Sequence, residues 1–165
     1  MSNQQSTKIE IYTDGGCHGN PGPGGWAYLL CQAGGAGEQR SLLAEQWGAE
    51  QFTTNNQMEL RAAIEALSAL HALRLPLEAV GLWTDSEYVK NGITVWIQKW
   101  KKNGWRTANK QPVKNAELWR RLDELAALFP LSWHWVRGHN GDPLNERCDE
   151  LTQTAIESIE GAGKR

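Results

Sequence analysis

The order of the predicted elements indicates an α/β domain in which helices cover a mixed sheet. Three segments with strand-like patterns come first, and strands and helices alternate after about residue 56. Strands joined by short turns pair in an antiparallel meander, whereas strands joined through helices pair in parallel. The sequence therefore predicts a five-stranded mixed sheet, antiparallel at first and then parallel, covered by helices.

Each element is predicted from the period of its apolar residues and from the turns that bound it. The first three segments alternate or form short apolar runs, and turns rich in Gly at residues 15–25 and 34–37 separate them. Apolar residues from Leu60 to Leu70 recur at helical spacing, and Pro76 marks the end of the predicted helix. The predicted elements are strands at 8–13, 26–31, 40–48, 80–84 and 131–136, a helix at about 56–73, two or three helical segments between 86 and 129, and a last helix at about 145–159.

Length and composition indicate one globular domain. The chain has 165 residues, of which 40% are hydrophobic and 22% charged. We expect a domain at residues 8–157 between a flexible N-terminus (1–7) and a flexible tail (158–165). No apolar run approaches the roughly 20 residues that span a bilayer, and no signal peptide is evident. The sequence thus predicts a cytoplasmic protein without membrane contact, and a monomer, since no apolar stripe is left over.

Three acidic residues stand where an ordinary structural role is hard to supply. Asp14 and Asp85 each end an apolar strand, in the matching tripeptides T-D-G and T-D-S, and Glu59 lies on the apolar face of the long helix. Ligand sites of open α/β sheets favour the carboxyl ends of strands. Ionised carboxylates near a core are costly unless they are paired or bind metal, and the sequence places no obvious basic partner. The three together indicate a site for magnesium or manganese.

Each candidate also has an ordinary interpretation. Asp14 before a glycine is typical of a turn, Asp85 before Ser86 of a helix cap, and Glu59 of a capping or dipole partner. Asp149, near the start of the last helix, is a plausible fourth ligand, although an acid in a first turn is common. His139 lies between glycines in a loop after a strand, where an imidazole could relay protons or could simply be solvated.

Positive charge is concentrated in one stretch of the chain. Eight basic residues and one acid fall between Lys99 and Arg121, although the formal net charge of the protein is −2. Four of its nine tryptophans, Trp96, Trp100, Trp105 and Trp119, lie in or beside this stretch. Basic groups neutralise phosphates and indoles pack on sugars or bases, which favours nucleic-acid binding. A solvated basic face over buried aromatic residues is the alternative.

Five blocks of sequence resemble bacterial type 1 ribonuclease H in order and spacing. They are T-D-G-G-C-H-G-N-P-G-P-G-G, T-T-N-N-Q-M-E-L, T-D-S, W-I-Q-K-W-K-K-N-G-W and G-H-N-G-D-P-L-N-E-R-C-D-E-L. The resemblance covers residues 8 to about 155, and its long first and last blocks make it specific. It implies a ribonuclease H-like fold and an endonuclease that cuts the RNA strand of an RNA–DNA hybrid.

The resemblance also assigns roles to individual residues. It implies that four carboxylates hold two magnesium ions at the scissile phosphate, which would leave 5′-phosphate and 3′-hydroxyl ends. It makes His139 an aid to proton transfer or product departure, and it makes about 96–114 a basic protrusion that grips the DNA strand. The implied metal ligands are Asp14, Glu59, Asp85 and Asp149. The implied substrate-binding residues are Cys17, Asn20, Thr54, Asn55, Asn56, Glu87, Trp96, Lys99, Trp100, Lys101, Lys102 and Trp105.

Two positions depart from the pattern of the family. Glu87 stands where relatives commonly have Gln, which places a negative charge beside the expected RNA strand. Phe52 occupies a position that is often Arg, near the expected DNA phosphate pocket. Lys99 could offset both changes in charge. None of these positions supplies a metal ligand, so the departures bear on substrate affinity.

Two other functions compete with this hypothesis. A related nuclease or strand-transfer enzyme that cuts DNA could use the same carboxylate chemistry, since a fold does not fix a function. The basic protrusion and the residues expected to sense ribose 2′-hydroxyls argue against it. A non-catalytic module that binds hybrids would be expected to lack a carboxylate, and all four are present.

Overall fold

A computed structural model describes residues 7–34, 40–137 and 142–163, with side chains of the last segment described as far as residue 160. It confirms the predicted five-stranded mixed sheet. The strands are β1 (Thr7–Cys17), β2 (Gly22–Gln32), β3 (Ser41–Thr53), β4 (Leu77–Thr84) and β5 (Leu131–Trp135). The helices are α1 (Asn55–Leu73), α2 (Glu87–Asn91), α3 (Ile97–Lys102), α4 (Ala116–Ala126) and α5 (Pro143–Gly163), with a π-helical turn, Gly92–Trp96, between α2 and α3.

The sheet has the strand order β3-β2-β1-β4-β5. β1, β2 and β3 pair antiparallel, whereas β4 pairs in parallel with both β1 and β5. β1 is therefore the central strand, and it runs in the same direction as β4. The carboxyl ends of these two strands meet at one edge of the sheet, which is where ligands bind in open α/β sheets.

Two apolar cores hold helices on opposite faces of the sheet. On one face, α1 packs over side chains such as Ile11, Leu30 and Leu82, and α4 packs on α1. On the other face, α5 covers β1, β2 and β3 and buries Cys148 and Leu151 against them. No helix in the described part of the chain combines the length and apolar character that crossing a bilayer requires.

The Gly- and Pro-dense segment differs most from its prediction. Residues 15–25 are predicted as a turn, but β1 continues to Cys17 and β2 begins at Gly22. The glycines serve close packing, because a Cβ on Gly25 would lie 2.7 Å from the Cβ of Ala155 in α5. Helix α5 also extends to Gly163, beyond the predicted end near residue 159.

Helix α1 begins close to its prediction. Thr54 is its N-cap, and its hydroxyl accepts a hydrogen bond of 3.2 Å from the backbone N–H of Gln57. One face of the helix is buried on the sheet, and Glu59 is among its buried residues. The start of α1 thus carries Glu59 to the edge where β1 and β4 end.

Candidate active site

Three carboxylates meet at the edge of the sheet where β1 and β4 end. Asp14 lies in β1 opposite Ala27 of β2, and Asp85 follows directly after β4. Glu59 reaches the same point from α1, which packs on one face of the sheet. One oxygen from each of Asp14, Glu59 and Asp85 lies within 4.8 Å of the others. This spacing allows the three to share a cation.

Glu59 is the most enclosed of the three carboxylates. Its side chain is buried, and its Oε1 accepts a hydrogen bond of 2.5 Å from the backbone N–H of Gly15. Its Oε2 is buried without a hydrogen-bond partner of ordinary geometry among the described residues. A buried carboxylate oxygen with no donor is costly, and a bound cation would satisfy it. This oxygen fits a divalent metal ion at the centre of the cluster.

The carboxylates raise one another's pKa values. Burial, followed by the charge of Asp85, raises the pKa of Asp14 from 3.8 to about 7. Burial, followed by the charges of Asp14 and Asp85, raises the pKa of Glu59 well above its ordinary value. Burial, followed by the charges of Asp14, Glu59, Asp85 and Asp149, raises the pKa of the Cys148 thiol well above its ordinary value. The site therefore favours positive charge, and its hard oxygen ligands suit magnesium or manganese.

The fourth candidate carboxylate lies nearby but outside the group of three. Asp149 is on α5, and its charge contributes to the raised pKa of Asp14. Thr152, one turn later on α5, opposes that rise in pKa as a hydrogen-bond partner of Asp14. Helix α5 thus brings Asp149 and Thr152 close to Asp14. His139, the predicted proton relay, lies outside the described residues.

Backbone and side-chain contacts hold the segment that carries Asp85. The indole Nε1 of Trp135 donates a hydrogen bond of 3.3 Å to the main-chain carbonyl of Asp85. Ser86 caps α2 by accepting a bond of 3.1 Å from the N–H of Val89, and its own N–H donates to the Thr84 hydroxyl. These contacts fix the chain where it leaves the sheet.

A second set of predicted residues forms a hydrogen-bonded turn beside the carboxylates. The N–H of Cys17 donates to Oδ1 of Asn55 at 2.7 Å, and the N–H of Asn55 donates to Oδ1 of Asn20 at 3.1 Å. Thr54 is half-buried, whereas Asn55 and Asn56 are exposed at the start of α1. We call Cys17, Asn55 and Asn56 the recognition turn; the exposed amide groups of Asn55 and Asn56 can meet a polar ligand.

The basic segment, residues 96–114, combines an aromatic layer with exposed charges. Trp96, Trp100 and Trp105 are half-buried, with successive ring centroids 5.9 and 6.2 Å apart, and they pack on the core. Lys99 and Lys102 are exposed on α3, and Glu87 is exposed in the first turn of α2. Lys101 forms an ion pair of 2.9 Å with Asp123 of α4, so its ammonium group is already partly neutralised.

Comparison with known proteins decides the family. The family model for RNase H matches residues 6–157. The chain is 54% identical to Ribonuclease HI of Brucella melitensis biotype 1 over 158 residues, which cover 96% of each protein. The chain belongs to the bacterial type 1 ribonuclease H family. It is accordingly an enzyme of the ribonuclease H class.

Solved structures of ribonucleases H share the fold. The structure is similar to LC9-RNase H1, described as a type 1 RNase H with the type 2 active-site motif, with a TM-score of 0.82 and 33% identity over 95% of this chain and 75% of that one. It is also similar to LC11-RNase H1 in complex with RNA/DNA hybrid, with a TM-score of 0.68 and 27% identity over 92% of this chain and 98% of that one.

Some contacts of this ribonuclease H site could not be found from the sequence. The bond from Gly15 to Glu59 joins residues 44 apart, and the bond from Trp135 to Asp85 joins residues 50 apart. Neither pair has a local sequence signal, since one depends on how α1 packs on the sheet and the other on how β5 pairs with β4 in the sheet. The T-D-G motif marked Gly15 as part of a turn, but not as a donor to a carboxylate.

The raised pKa of Asp14 predicts that the metal-free protein becomes less stable as the pH rises. Asp14 has a folded-state pKa of about 7 against 3.8 when unperturbed, so between these values the folded chain binds more protons than the unfolded chain. Unfolding then releases a proton, and stability is lost as the pH rises through this window. In EDTA, we expect the urea midpoint to fall from pH 5 to pH 8, and to fall less in Asp14→Asn. Equal falls in the two proteins would contradict this assignment.

Proposed function

We propose that this protein is an endonuclease that hydrolyses the RNA strand of RNA–DNA hybrids and leaves 5′-phosphate and 3′-hydroxyl ends. The observation that carries the proposal is the cluster of Asp14, Glu59 and Asp85, with a buried Glu59 oxygen that makes no hydrogen bond of ordinary geometry among the described residues. Membership of the ribonuclease H family and the hybrid-bound state of LC11-RNase H1 support the choice of substrate. We also propose that the enzyme acts as a cytoplasmic monomer with its catalytic domain at residues 8–157.

The four carboxylates Asp14, Glu59, Asp85 and Asp149 would hold two Mg²⁺ ions, or Mn²⁺ ions, since both metals prefer oxygen ligands. Bound metal would supply an activated water and stabilise the negative charge that develops at the scissile phosphate. Gly15 orients the Glu59 carboxylate through its N–H, and Trp135 restrains the main chain at Asp85. These contacts arrange the ligands before substrate binds, so little reorganisation opposes the reaction.

The recognition turn would identify the RNA strand. Its amides and the Cys17 backbone lie beside the carboxylates, where groups that donate and accept hydrogen bonds can sense a ribose 2′-hydroxyl. The basic segment would grip the DNA strand, with Trp96, Trp100 and Trp105 as an apolar surface and Lys99, Lys101 and Lys102 as phosphate partners. Thr54 and Asn20 would contact the DNA backbone, and Glu87 would lie beside the RNA strand.

A panel of duplexes tests the proposed substrate. The purified protein is incubated with an RNA–DNA hybrid, double-stranded RNA and double-stranded DNA of one sequence, each with Mg²⁺ and with EDTA. We expect cleavage of the hybrid alone, and only with Mg²⁺. Cleavage of double-stranded DNA would favour the related DNA nuclease instead, and tight hybrid binding without cleavage would favour a binding module.

Replacing exposed lysines of the basic segment should weaken hybrid binding in proportion to the number of phosphates that they neutralise. Lys102 and Lys110 are exposed, and each phosphate contact contributes about 0.9 to the slope of log affinity against log salt concentration. In Lys102→Ala/Lys110→Ala, we expect the slope to decrease by about two, as measured by fluorescence anisotropy. Lys8→Ala, at an exposed position in β1, is the matched control and should leave the slope unchanged. An unchanged slope in the double variant would make the segment a solvated face.

His139 is proposed to act in turnover rather than as a metal ligand. We expect His139→Ala to lower kcat by roughly 10²-fold, within the usual range for a general acid or base, while hybrid affinity and magnesium dependence stay near wild type. Titration of Mg²⁺ against both proteins separates the two roles. If the variant needs more Mg²⁺ and recovers fully at saturation, His139 is a metal ligand and the proton-relay role is refuted.

A further inference from the structure

A continuous series of side-chain hydrogen bonds, which we call the hydrogen-bond relay, joins α1 to both ends of the basic segment. The Thr53 hydroxyl donates to Oε1 of Gln57 at 2.9 Å, and Nε2 of Gln57 donates to Oδ1 of Asn115 at 3.2 Å. The hydroxyl oxygen of Tyr88 then accepts two bonds, from Nδ2 of Asn115 at 3.1 Å and from Nε1 of Trp119 at 3.0 Å. The relay therefore ends on the Tyr88 oxygen.

The positions of these residues show what the hydrogen-bond relay connects. Tyr88 lies in α2, before the basic segment, whereas Asn115 and Trp119 follow it. The hydroxyl of Tyr88 thus ties the entry of the segment to its exit. Gln57 lies in the first turn of α1, next to the Asn55 and Asn56 of the recognition turn. Both ends of the basic segment are in this way fastened to the element that carries the recognition turn.

The conformation of Asn115 indicates that these bonds are specific. Asn115 is the N-cap of α4, yet its side chain makes no capping hydrogen bond to that helix. An asparagine at this position usually stabilises the helix by capping it. Its φ of 61° is also a left-handed conformation that asparagine tolerates better than most residues. The side-chain amide of Asn115 forms hydrogen bonds with Gln57 and Tyr88 instead of capping α4.

Aromatic packing holds Tyr88 where its hydroxyl can accept both donors. Its ring centroid lies 5.2 Å from that of Trp119 and 5.6 Å from that of Trp96. Trp119 is fully buried, and its indole lies so close to Gly92 of the π-helical turn that a Cβ there would collide with it. The surrounding rings keep the Tyr88 hydroxyl aligned with its two donors, so removal of the hydroxyl alone removes both hydrogen bonds.

We propose that Tyr88 is a positioning residue for hybrid binding, which it serves by fixing the basic segment relative to the recognition turn. The proposal rests on the proposed function, in which these two surfaces contact opposite strands of one duplex. A duplex offers its strands at a fixed separation, so surfaces that are held in register before binding lose less conformational entropy on binding. Tyr88 and Gln57 need not touch the hybrid to affect its affinity.

Two substitutions interrupt the hydrogen-bond relay at different points. Tyr88→Phe removes the hydroxyl and keeps the ring, and Gln57→Met keeps the length of the side chain and removes its polar atoms. We expect each to raise the Kd for an RNA–DNA hybrid about tenfold, because each removed bond stabilises the arrangement of the two surfaces that binds, and that arrangement then becomes less populated in the free protein. We expect kcat at saturating hybrid, and the Mg²⁺ dependence, to stay within about twofold of wild type. The double variant should be hardly weaker than either single variant, because one interruption already breaks the relay.

The Kd is measured in EDTA, so that the result does not depend on cleavage, and turnover by the wild-type enzyme tests the proposed function separately. Tyr28→Phe is the matched control, since Tyr28 is a buried tyrosine on β2 that stacks on Trp26 and takes no part in the hydrogen-bond relay; its Kd should equal that of wild type. A lower melting temperature with unchanged Kd in both relay variants would reduce the relay to a structural role and overturn the proposal. Additive losses in the double variant would also overturn it, because the bonds would then act independently.

Discussion

An Asp14→Asn substitution is expected to abolish cleavage while the protein stays folded. Asn has nearly the same shape as Asp, but it removes the charge that lies among Glu59 and Asp85. Loss of a residue that only hydrogen-bonds to a metal ligand costs about 10- to 100-fold in activity or metal affinity. Loss of the charge of a ligand itself should therefore reduce the rate by more than about 10²-fold. The rate is measured on a labelled hybrid at saturating Mg²⁺.

The same substitution should stabilise the metal-free protein. Burial and the charge of Asp85 raise the pKa of Asp14 to about 7, so its ionised form destabilises the folded state at pH 8. Removal of that charge should raise the free energy of unfolding in EDTA by up to about 4 kcal/mol, since each pKa unit corresponds to about 1.4 kcal/mol. Added Mg²⁺ should raise the melting temperature of wild type but not of Asp14→Asn, because ligand binding stabilises only the state that binds. Equal shifts in the two proteins would remove Asp14 from the metal site.

A Gly15→Ala substitution is expected to damage both stability and activity. A Cβ at Gly15 would lie 2.6 Å from the Glu59 nitrogen and would collide with the Met58 carbonyl group. These atoms belong to the backbone of α1, so β1 and α1 would have to separate. Overpacking of this kind costs about 1–3 kcal/mol. The N–H of Gly15 would also move away from Glu59, and a misplacement of about 1 Å at a reacting centre can cost about 10²-fold in rate.

Gly16→Ala is the matched control for this substitution. A Cβ at Gly16 would meet only the Asn55 Oδ1, at 3.8 Å, which is an ordinary contact. We expect its urea midpoint and its Mg²⁺-induced stabilisation to match wild type, whereas both should decrease in Gly15→Ala. If the two variants behave alike, close approach of β1 to α1 is not what positions Glu59.

The sequence predicted the elements of the fold but not how far the first three strands extend, since β3 also continues to Thr53, past its predicted end at residue 48. Residues 15–25 are rich in Gly and Pro, which disfavour strands as isolated residues. In the folded chain, packing against α1 and α5 outweighs that preference, and the missing side chains of Gly15 and Gly25 are what allow the close approach. Such a tertiary requirement has no periodic signal in the sequence.

The sequence also pointed to the three carboxylates that the structure places together, because two follow apolar, strand-like runs and one lies on an apolar helix face, although β1 in fact continues past Asp14 to Cys17. It did not indicate the hydrogen-bond relay from Gln57 to Tyr88. Asn115 has the pattern of a helix cap, and only the fold shows that its amide is bonded to Gln57, which is 58 residues away. Contacts between distant elements depend on packing, and a local pattern does not record them.

The most direct test of the proposed activity is cleavage of one hybrid whose two strands carry different labels. The rates at which the RNA and DNA strands shorten are measured with Mg²⁺, for wild type and Asp14→Asn side by side. We expect wild type to shorten the RNA strand alone, to fragments with 5′-phosphate ends, and Asp14→Asn to leave both strands intact. Shortening of the DNA strand, or an Asp14→Asn protein as active as wild type, would contradict the proposed two-metal cleavage of RNA.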